Sequence, residues 1–326
     1  MKKLLTAFTA LAAAGLFALS ANAADLVLYT SQPNEDAQAT VDAFKAANPG
    51  VEVEWVRDGT TKLMAKLQAE IAAGNPVADV LLIADTVTLQ RMKEAGQLLA
   101  YKSPEAANFD ASLYDADGAY HSTKLITTGI VYNTSAGMKP ASWKDLVAPE
   151  AKGLVMMPSP LTSGAALIHA QVLTGLDGFG WDYYKALQAN GAAASGGNGG
   201  VLKAVATGEK AYGMIVDFMA IREKAKGAPV EFVFPTEGVS AVTEPVAILS
   251  GAKNAENARK FVDFLLSEEG QKVSLAMGYI PARNGIAMPE GYPARDAINV
   301  LPLDAAAAVK NTEADIRSFS DIFGTN

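Results

Sequence analysis

Residues 26–56 read LVLYTSQPNEDAQATVDAFKAANPGVEVEWV, and the order of patterns inside this stretch decides the fold. Leu26 to Tyr29 is a short apolar run ended by Thr30-Ser31-Gln32-Pro33. From about Glu35 to Ala47 the apolar positions recur at helical spacing, and Asn48-Pro49-Gly50 stops them. Val51 to Val56 then alternates, as a half-buried strand does when successive side chains point to opposite faces.

The same order continues outward. Asp58-Gly59-Thr60-Thr61 opens a helix carrying Leu63, Met64, Leu67 and Ile71 on one face. Ala78 to Ile83 reads as a buried strand, followed by a helix to about Ala95. Strand and helix alternating three times predict an α/β fold with helices covering both sheet faces. A second block runs from about Thr127 to Ser240. It contains a strand over Leu154 to Met157, a helix from Thr162 and a strand over Ala211 to Val216. A glycine cluster, Gly196-Gly197-Asn198-Gly199-Gly200, leads into a helix from Val201; it suits a flexible loop or a binding turn equally. The tail returns to helices, clearest over Asn257 to Leu266. Two long strands flank the second block: Lys124 to Asn133 and Val239 to Leu249. They predict crossovers between two hinged lobes, with lobe 1 built from 24–126 and 241–326, lobe 2 from 127–240, and a ligand cleft between them.

The N-terminus has the three parts of an export signal. Lys2 and Lys3 precede an uncharged apolar run over Leu4 to Leu19, and Ala21-Asn22-Ala23 is a small-x-small cleavage site. The run is short for a spanning helix, so cleavage after Ala23 is expected rather than a membrane anchor. The chain has no cysteine, which closes lipid anchoring, disulfides and thiolate metal sites and makes the periplasm the expected location. At 326 residues the prior is two domains. The formal net charge of −8 argues against nucleic acid as a partner. It says little against a small anion, because local donors decide that.

Catalysis finds no support in the motifs. The two histidines, His121 and His169, lie in no HExxH pattern, and there is no Gly-x-Ser-x-Gly elbow or P-loop. His169 falls in an apolar helix and reads as packing; His121 reads as an ordinary surface residue. Three loop-to-helix junctions are richer: 58–61, 159–164 and 198–200. A helix N-terminus carries unpaired N–H groups and about half a positive charge, so small polar residues and glycine there can hold a phosphate or carboxylate. Ordinary capping explains any one of them alone. A second set is acidic. Asp85 and Asp217 end strands, where α/β proteins bind ligands. Glu244 sits inside the second crossover, where a buried carboxylate needs a partner. A structural hydrogen bond and a ligand contact are both open for these acids.

Five segments, taken in order, carry a family resemblance: 28–55, 76–98, 129–134, 195–217 and 261–283. Nearly the whole chain after the leader resembles periplasmic substrate-binding proteins of ABC transporters, in the group that includes the ferric-ion-binding proteins. The resemblance implies a two-lobe periplasmic-binding-protein type II fold, each lobe a mixed sheet flanked by helices. It also implies an inner-membrane ABC permease as partner. Iron-binding relatives place a histidine, a glutamate and two tyrosines at positions that match Pro33, Ala84, Phe218 and Met219 here. Hard Fe(III) wants anionic oxygen, and these four offer none. Tyr183-Tyr184 lies in a helix-like stretch and reads as packing. The anion-holding positions of the relatives match Ser163-Gly164 and Asn198. The expected ligand is therefore a phosphorylated organic anion, a sugar phosphate favoured over 2-aminoethylphosphonate. An exported phosphate-ester hydrolase and a receptor-docking sensor are the alternative classes. The expected ligand-binding set is Ser31, Gln32, Thr60, Thr61, Asp85, Thr127, Ser159, Thr162, Ser163, Gly164, Asn198, Gly199, Asp217 and Glu244. No cofactor or resident metal is expected, and the chain is expected to act as a monomer.

Overall fold

The computed structural model describes residues 24–324; the expected leader, residues 1–23, lies outside the described residues. The chain opens with β1 (Leu26–Thr30), α1 (Asn34–Ala47), β2 (Val53–Arg57), α2 (Thr60–Ala72), β3 (Val80–Leu82), α3 (Thr86–Glu94), β4 (Leu98–Leu99) and β5 (His121–Ser122). The first crossover, β6 (Lys124–Asn133), has the bounds that its pattern predicts. The second lobe follows as β7 (Val155–Met157), α4 (Gly164–Thr174), α5 (Gly180–Ala189), β8 (Ala193–Ala194), α6 (Asn198–Ala206), β9 (Tyr212–Val216), α7 (Asp217–Ala225) and β10 (Val230–Val233). The chain returns through β11 (Ser240–Val242) and β12 (Pro245–Leu249), then α8 (Ala255–Leu266), α9 (Glu268–Ala276), β13 (Ile280–Pro281) and α10 (Ala305–Phe323).

Each lobe is a mixed sheet flanked by helices. The first has strand order β2-β1-β3-β12-β4, with β5 also on β12. β1 runs parallel to β2 and β3, and β12 is antiparallel to its neighbours. β1 is buried on both faces because helices cover both sides, which its near-continuous apolar run requires. One apolar cluster joins this sheet to Phe44 of α1 and Phe261 of α8; another joins it to Leu63 of α2 and Leu89 of α3. β2, at the sheet edge, keeps Glu54 and Arg57 exposed. The second sheet has order β10-β6-β9-β7-β8, with β11 and β13 on β6. Its core gathers Trp143, Tyr184, Tyr212 and Ile215. The last helix also packs here: Phe319 of α10 meets the Tyr184 ring, and Gln171 donates to the Ala308 carbonyl.

The second crossover is not one strand over Val239 to Leu249. β11 pairs with β6 in the second sheet and β12 pairs with β3 in the first. Between them Glu244 takes a left-handed φ of 37°, and Pro245 follows. A chain that must change sheets cannot keep one ladder, and the turn falls where proline has no N–H to lose. No helix among the described residues is long and apolar enough to cross a membrane.

Candidate functional site

The strands of both lobes end, and five helices begin, around one cleft of about 470 Å³. Asn34 of α1 and Thr60 of α2 line it from the first lobe. Ser163 and Ala165 beside α4, Asn198 to Gly200 of α6, and Phe218 and Met219 of α7 line it from the second. The partial positive ends of these helices therefore add in one place. Their finish differs. Ser163 Oγ accepts from Ala166 N at 3.3 Å and caps α4. No side chain caps α1, α2 or α6, so their first-turn N–H groups remain available to a ligand.

The walls combine charge and apolar surface. Arg57, Asp58 and Lys62 stand at the first-lobe rim, exposed. Arg57 Nε donates to the Gln32 carbonyl at 2.8 Å, and no carboxylate pairs with Arg57 or Lys62 among the described residues. Ile126, Val216, Phe218 and Met219 give an apolar face. Ser31 Oγ accepts from Ala84 N at 2.9 Å, which joins two first-lobe loops at the cleft and leaves the hydroxyl proton free to donate.

The lobes touch across this cleft. A Cβ built on Gly59 would overlap the Thr162 carbonyl oxygen. One on Gly164 would sit 2.8 Å from the Ala84 carbonyl oxygen and 3.0 Å from Thr60 Cβ. Thr61 Oγ1 donates to the Pro160 carbonyl at 2.9 Å. Arg222 of α7 grips Asp36 of α1 through both terminal nitrogens at 2.8 Å. This is a closed arrangement in which glycine is required at both contact points.

Of the residues expected from the sequence, Ser31, Thr60, Thr162, Ser163, Asn198, Gly199 and Glu244 line the cleft. The others do not. Asp85 caps α3, accepting from Thr88 N at 3.0 Å and from the Thr88 hydroxyl, and burial pushes its carboxyl upward. Asp217 points inward, where Thr127 N and Oγ1 donate to it at 2.9 and 2.7 Å; burial raises it to about 6. Thr127 is thus the partner of Asp217 rather than a cleft residue. Gln32 is buried and serves through its carbonyl. Ser159 is buried, its oxygen accepting from Leu161 N at 3.3 Å. Thr61 and Gly164 make contacts between lobes. A strand end gives a position; the side chain's direction is set by what packs beside it, and for both aspartates nearer donors won.

The other titratable candidates are structural. His169 is buried and bonds Ser240 Oγ at 2.9 Å, and desolvation lowers it to about 3. His121 is buried against Tyr114 in β5 and is not a surface residue. Tyr183 donates to the Trp143 carbonyl, and Tyr184 packs against Phe319. Pro33, Ala84, Phe218 and Met219 all line the cleft. The four positions that the resemblance matches to iron ligands therefore line the cleft, and none offers the anionic oxygen that Fe(III) wants. Asp58, part of the 58–61 junction read from the sequence, also lines the cleft; the polar lining residues that sequence reasoning missed are Asn34, Arg57 and Lys62. A signal existed for the last two, since Arg57 and Lys62 flank that junction by one residue on either side.

Comparison with known proteins agrees with this geometry. An uncharacterized protein of Haemophilus influenzae is 33% identical over 84% of this chain and 82% of its own length. A periplasmic protein of Salmonella paratyphi A named for 2-aminoethylphosphonate binding is 29% identical, over 80% of this chain and 78% of its own. Among solved structures, AfuA from Actinobacillus pleuropneumoniae, determined with fructose-6-phosphate bound, has a TM-score of 0.85 at 25% identity, covering 92% of this chain and 99% of its own. Iron-bound HitA from Pseudomonas aeruginosa has a TM-score of 0.78 at 24% identity, covering 91% and 98%, a likeness of fold. The sequence profile of bacterial extracellular solute-binding proteins matches residues 39–299, and the chain belongs to that family.

Proposed function

We propose that this protein captures a small phosphorylated organic anion, a sugar phosphate in the favoured case, by closing its two lobes in the periplasm, and hands it to the permease of an ABC importer. The observation that carries this reading is the uncapped starts of α1, α2 and α6 at one cleft with Arg57 and Lys62. Backbone N–H groups and two cations suit the several oxygens of a phosphate. The relatives named for a phosphonate and solved with a sugar phosphate support the same chemistry. The cleft volume of about 470 Å³ leaves room beyond a phosphate group, and the apolar face over Phe218 suits a sugar ring's carbon edge. A hydrolase would need a nucleophile and a base within reach of each other, whereas Asp217 is held by Thr127, Glu244 is held by Lys124, and Asp58 stands exposed at the rim.

A second reading, 2-aminoethylphosphonate, rests on Asp58, an exposed acid at the same cleft that could meet an ammonium. Calorimetry and thermal shift separate the two. Fructose 6-phosphate or glucose 6-phosphate should bind and raise the melting temperature by mass action, with free sugar far weaker. Tight, tyrosinate-coloured ferric binding, or no response to any phosphate ester or phosphonate, would overturn the proposal.

A further inference from the structure

The floor of the cleft carries a charge that already has its answer. Glu244 lines the cleft yet is 2% exposed. Its Oε2 lies 2.6 Å from Lys124 Nζ, which is equally buried and sits 4.3 Å from the Tyr279 ring centroid. The Tyr279 hydroxyl donates to Asp36, and Asp36 holds Arg222. Four charges of alternating sign thus surround one phenol ring and sum to zero. The pair also spans the hinge: Lys124 begins β6, and Glu244 joins β11 to β12. Glu244 is held there at a φ of 37°, with its carbonyl taken by the Thr123 hydroxyl at 2.7 Å. Strain of this kind persists only where the surroundings enforce it, and here it keeps the carboxylate at the cleft.

We infer that Lys124 is a specificity-determining residue: by pairing with Glu244 it makes the cleft floor accept hydroxyl groups and reject an ammonium. This inference rests on the organic-anion reading above. A ligand hydroxyl needs only an acceptor, and a carboxylate paired through one oxygen still has the other to offer. A ligand ammonium must share the same carboxylate with Lys124 Nζ in a place from which water is largely excluded. Two like charges there repel strongly. The Lys124 charge therefore selects against phosphonates that end in an amine and leaves polyhydroxylated phosphates unaffected.

The test is calorimetry with fructose 6-phosphate and 2-aminoethylphosphonate as the two probes, on the wild-type chain and two variants. The wild type should favour fructose 6-phosphate by about tenfold or more. Lys124→Met frees the carboxylate and should shift the affinity ratio toward the aminophosphonate by about tenfold. Glu244→Gln leaves Lys124 uncompensated and should shift the ratio the opposite way. Opposite shifts are something that general damage to the site does not produce. If Lys124→Met does not fold, judged by circular dichroism, the Glu244→Gln shift decides. A ratio that does not move in the folded variants, or a wild-type preference for the aminophosphonate, overturns the inference alone. Binding of neither probe by the wild type overturns this inference, and the ligand reading falls with it if no phosphate ester or phosphonate raises the melting temperature.

Discussion

Two kinds of helix start meet at the centre of this molecule. α3 begins on Asp85, whose carboxylate accepts from Thr88 N and the Thr88 hydroxyl. α2 and α6 begin after Gly59 and Gly197, and no side chain closes either one. Both kinds follow a strand, and both carry small polar residues. The difference shows what separates a structural start from a binding start. A capping side chain consumes a donor that a ligand would use. Glycine supplies no cap and no Cβ, so the donors stay free and another surface can approach. The open starts of α1, α2 and α6 face the cleft, but openness alone does not make a binding start, since α5 and α8 also lack a side-chain cap and line no part of it. α4 stands between the two, with Ser163 both capping and lining.

The comparison breaks most visibly at Gly59. Its φ of −60° and ψ of 143° suit a β-branched residue, so the backbone would accept Gly59→Val. The new Cβ would strike the Thr162 carbonyl of the other lobe. Each lobe should fold as before while closure fails. If the closed fraction drops to about one in a hundred, apparent affinity for fructose 6-phosphate falls about a hundredfold. Calorimetry together with an unchanged ligand-free melting temperature checks this. Arg57→Ala comes next. Arg57 is exposed at the rim, so its contribution to an anion is expected at roughly 1–2 kcal/mol, at the lower end of charge-assisted bonds and weakened by salt. A titration at two salt concentrations should show the gap between wild type and variant closing as salt rises.

Which of these features could be read beforehand follows from how local their causes are. The alternation of β1, α1, β2, α2, β3 and α3 is written in periodicity, and β6, Lys124–Asn133, has the bounds read from its strand-like stretch. The break at Glu244 was not visible, because it depends on which sheet each half of the crossover joins. Asp85 and Asp217 were placed at strand ends correctly but turned away from the cleft, since a neighbouring threonine in each case supplies the bonds. His121 lies in a polar turn by sequence, and only the packing of Tyr114 buries it. Arg57 and Lys62 look like ordinary surface charges until the cleft is assembled around them.

The capped start should fail differently from the open ones. Asp85→Ala removes a cap and should lower stability by about 1 kcal/mol, without changing affinity for fructose 6-phosphate. A tenfold loss of affinity would return Asp85 to the site. Burial raises the Asp85 carboxyl above its ordinary value, so the folded state holds the proton more tightly than the unfolded chain. That contribution is complete at low pH and is lost as the pH rises through the folded value. Asp85→Asn keeps an acceptor without the charge. It should therefore gain on wild type in urea unfolding as the pH is raised from about 4 to 7.

Ser163→Ala gives the smallest expected effect on stability and the sharpest test, because this hydroxyl belongs to both kinds of start. Its oxygen accepts from Ala166 N at 3.3 Å and from Asn198 Nδ2 at 3.4 Å. Those two bonds occupy the two acceptor sites of a serine oxygen and leave its single proton to donate. Both bonds are long, so the cap is weak, and its loss should cost about 0.5 kcal/mol of stability. If the proton reaches a ligand phosphate, affinity should fall as well, by about 1 kcal/mol. Loss of stability with affinity intact would make α4 a capped start like α3, and the anion would then rest on α1, α2 and α6 alone. Loss of both would show that one hydroxyl can finish a helix and still serve the cleft, because the cap uses its lone pairs and the ligand uses its proton.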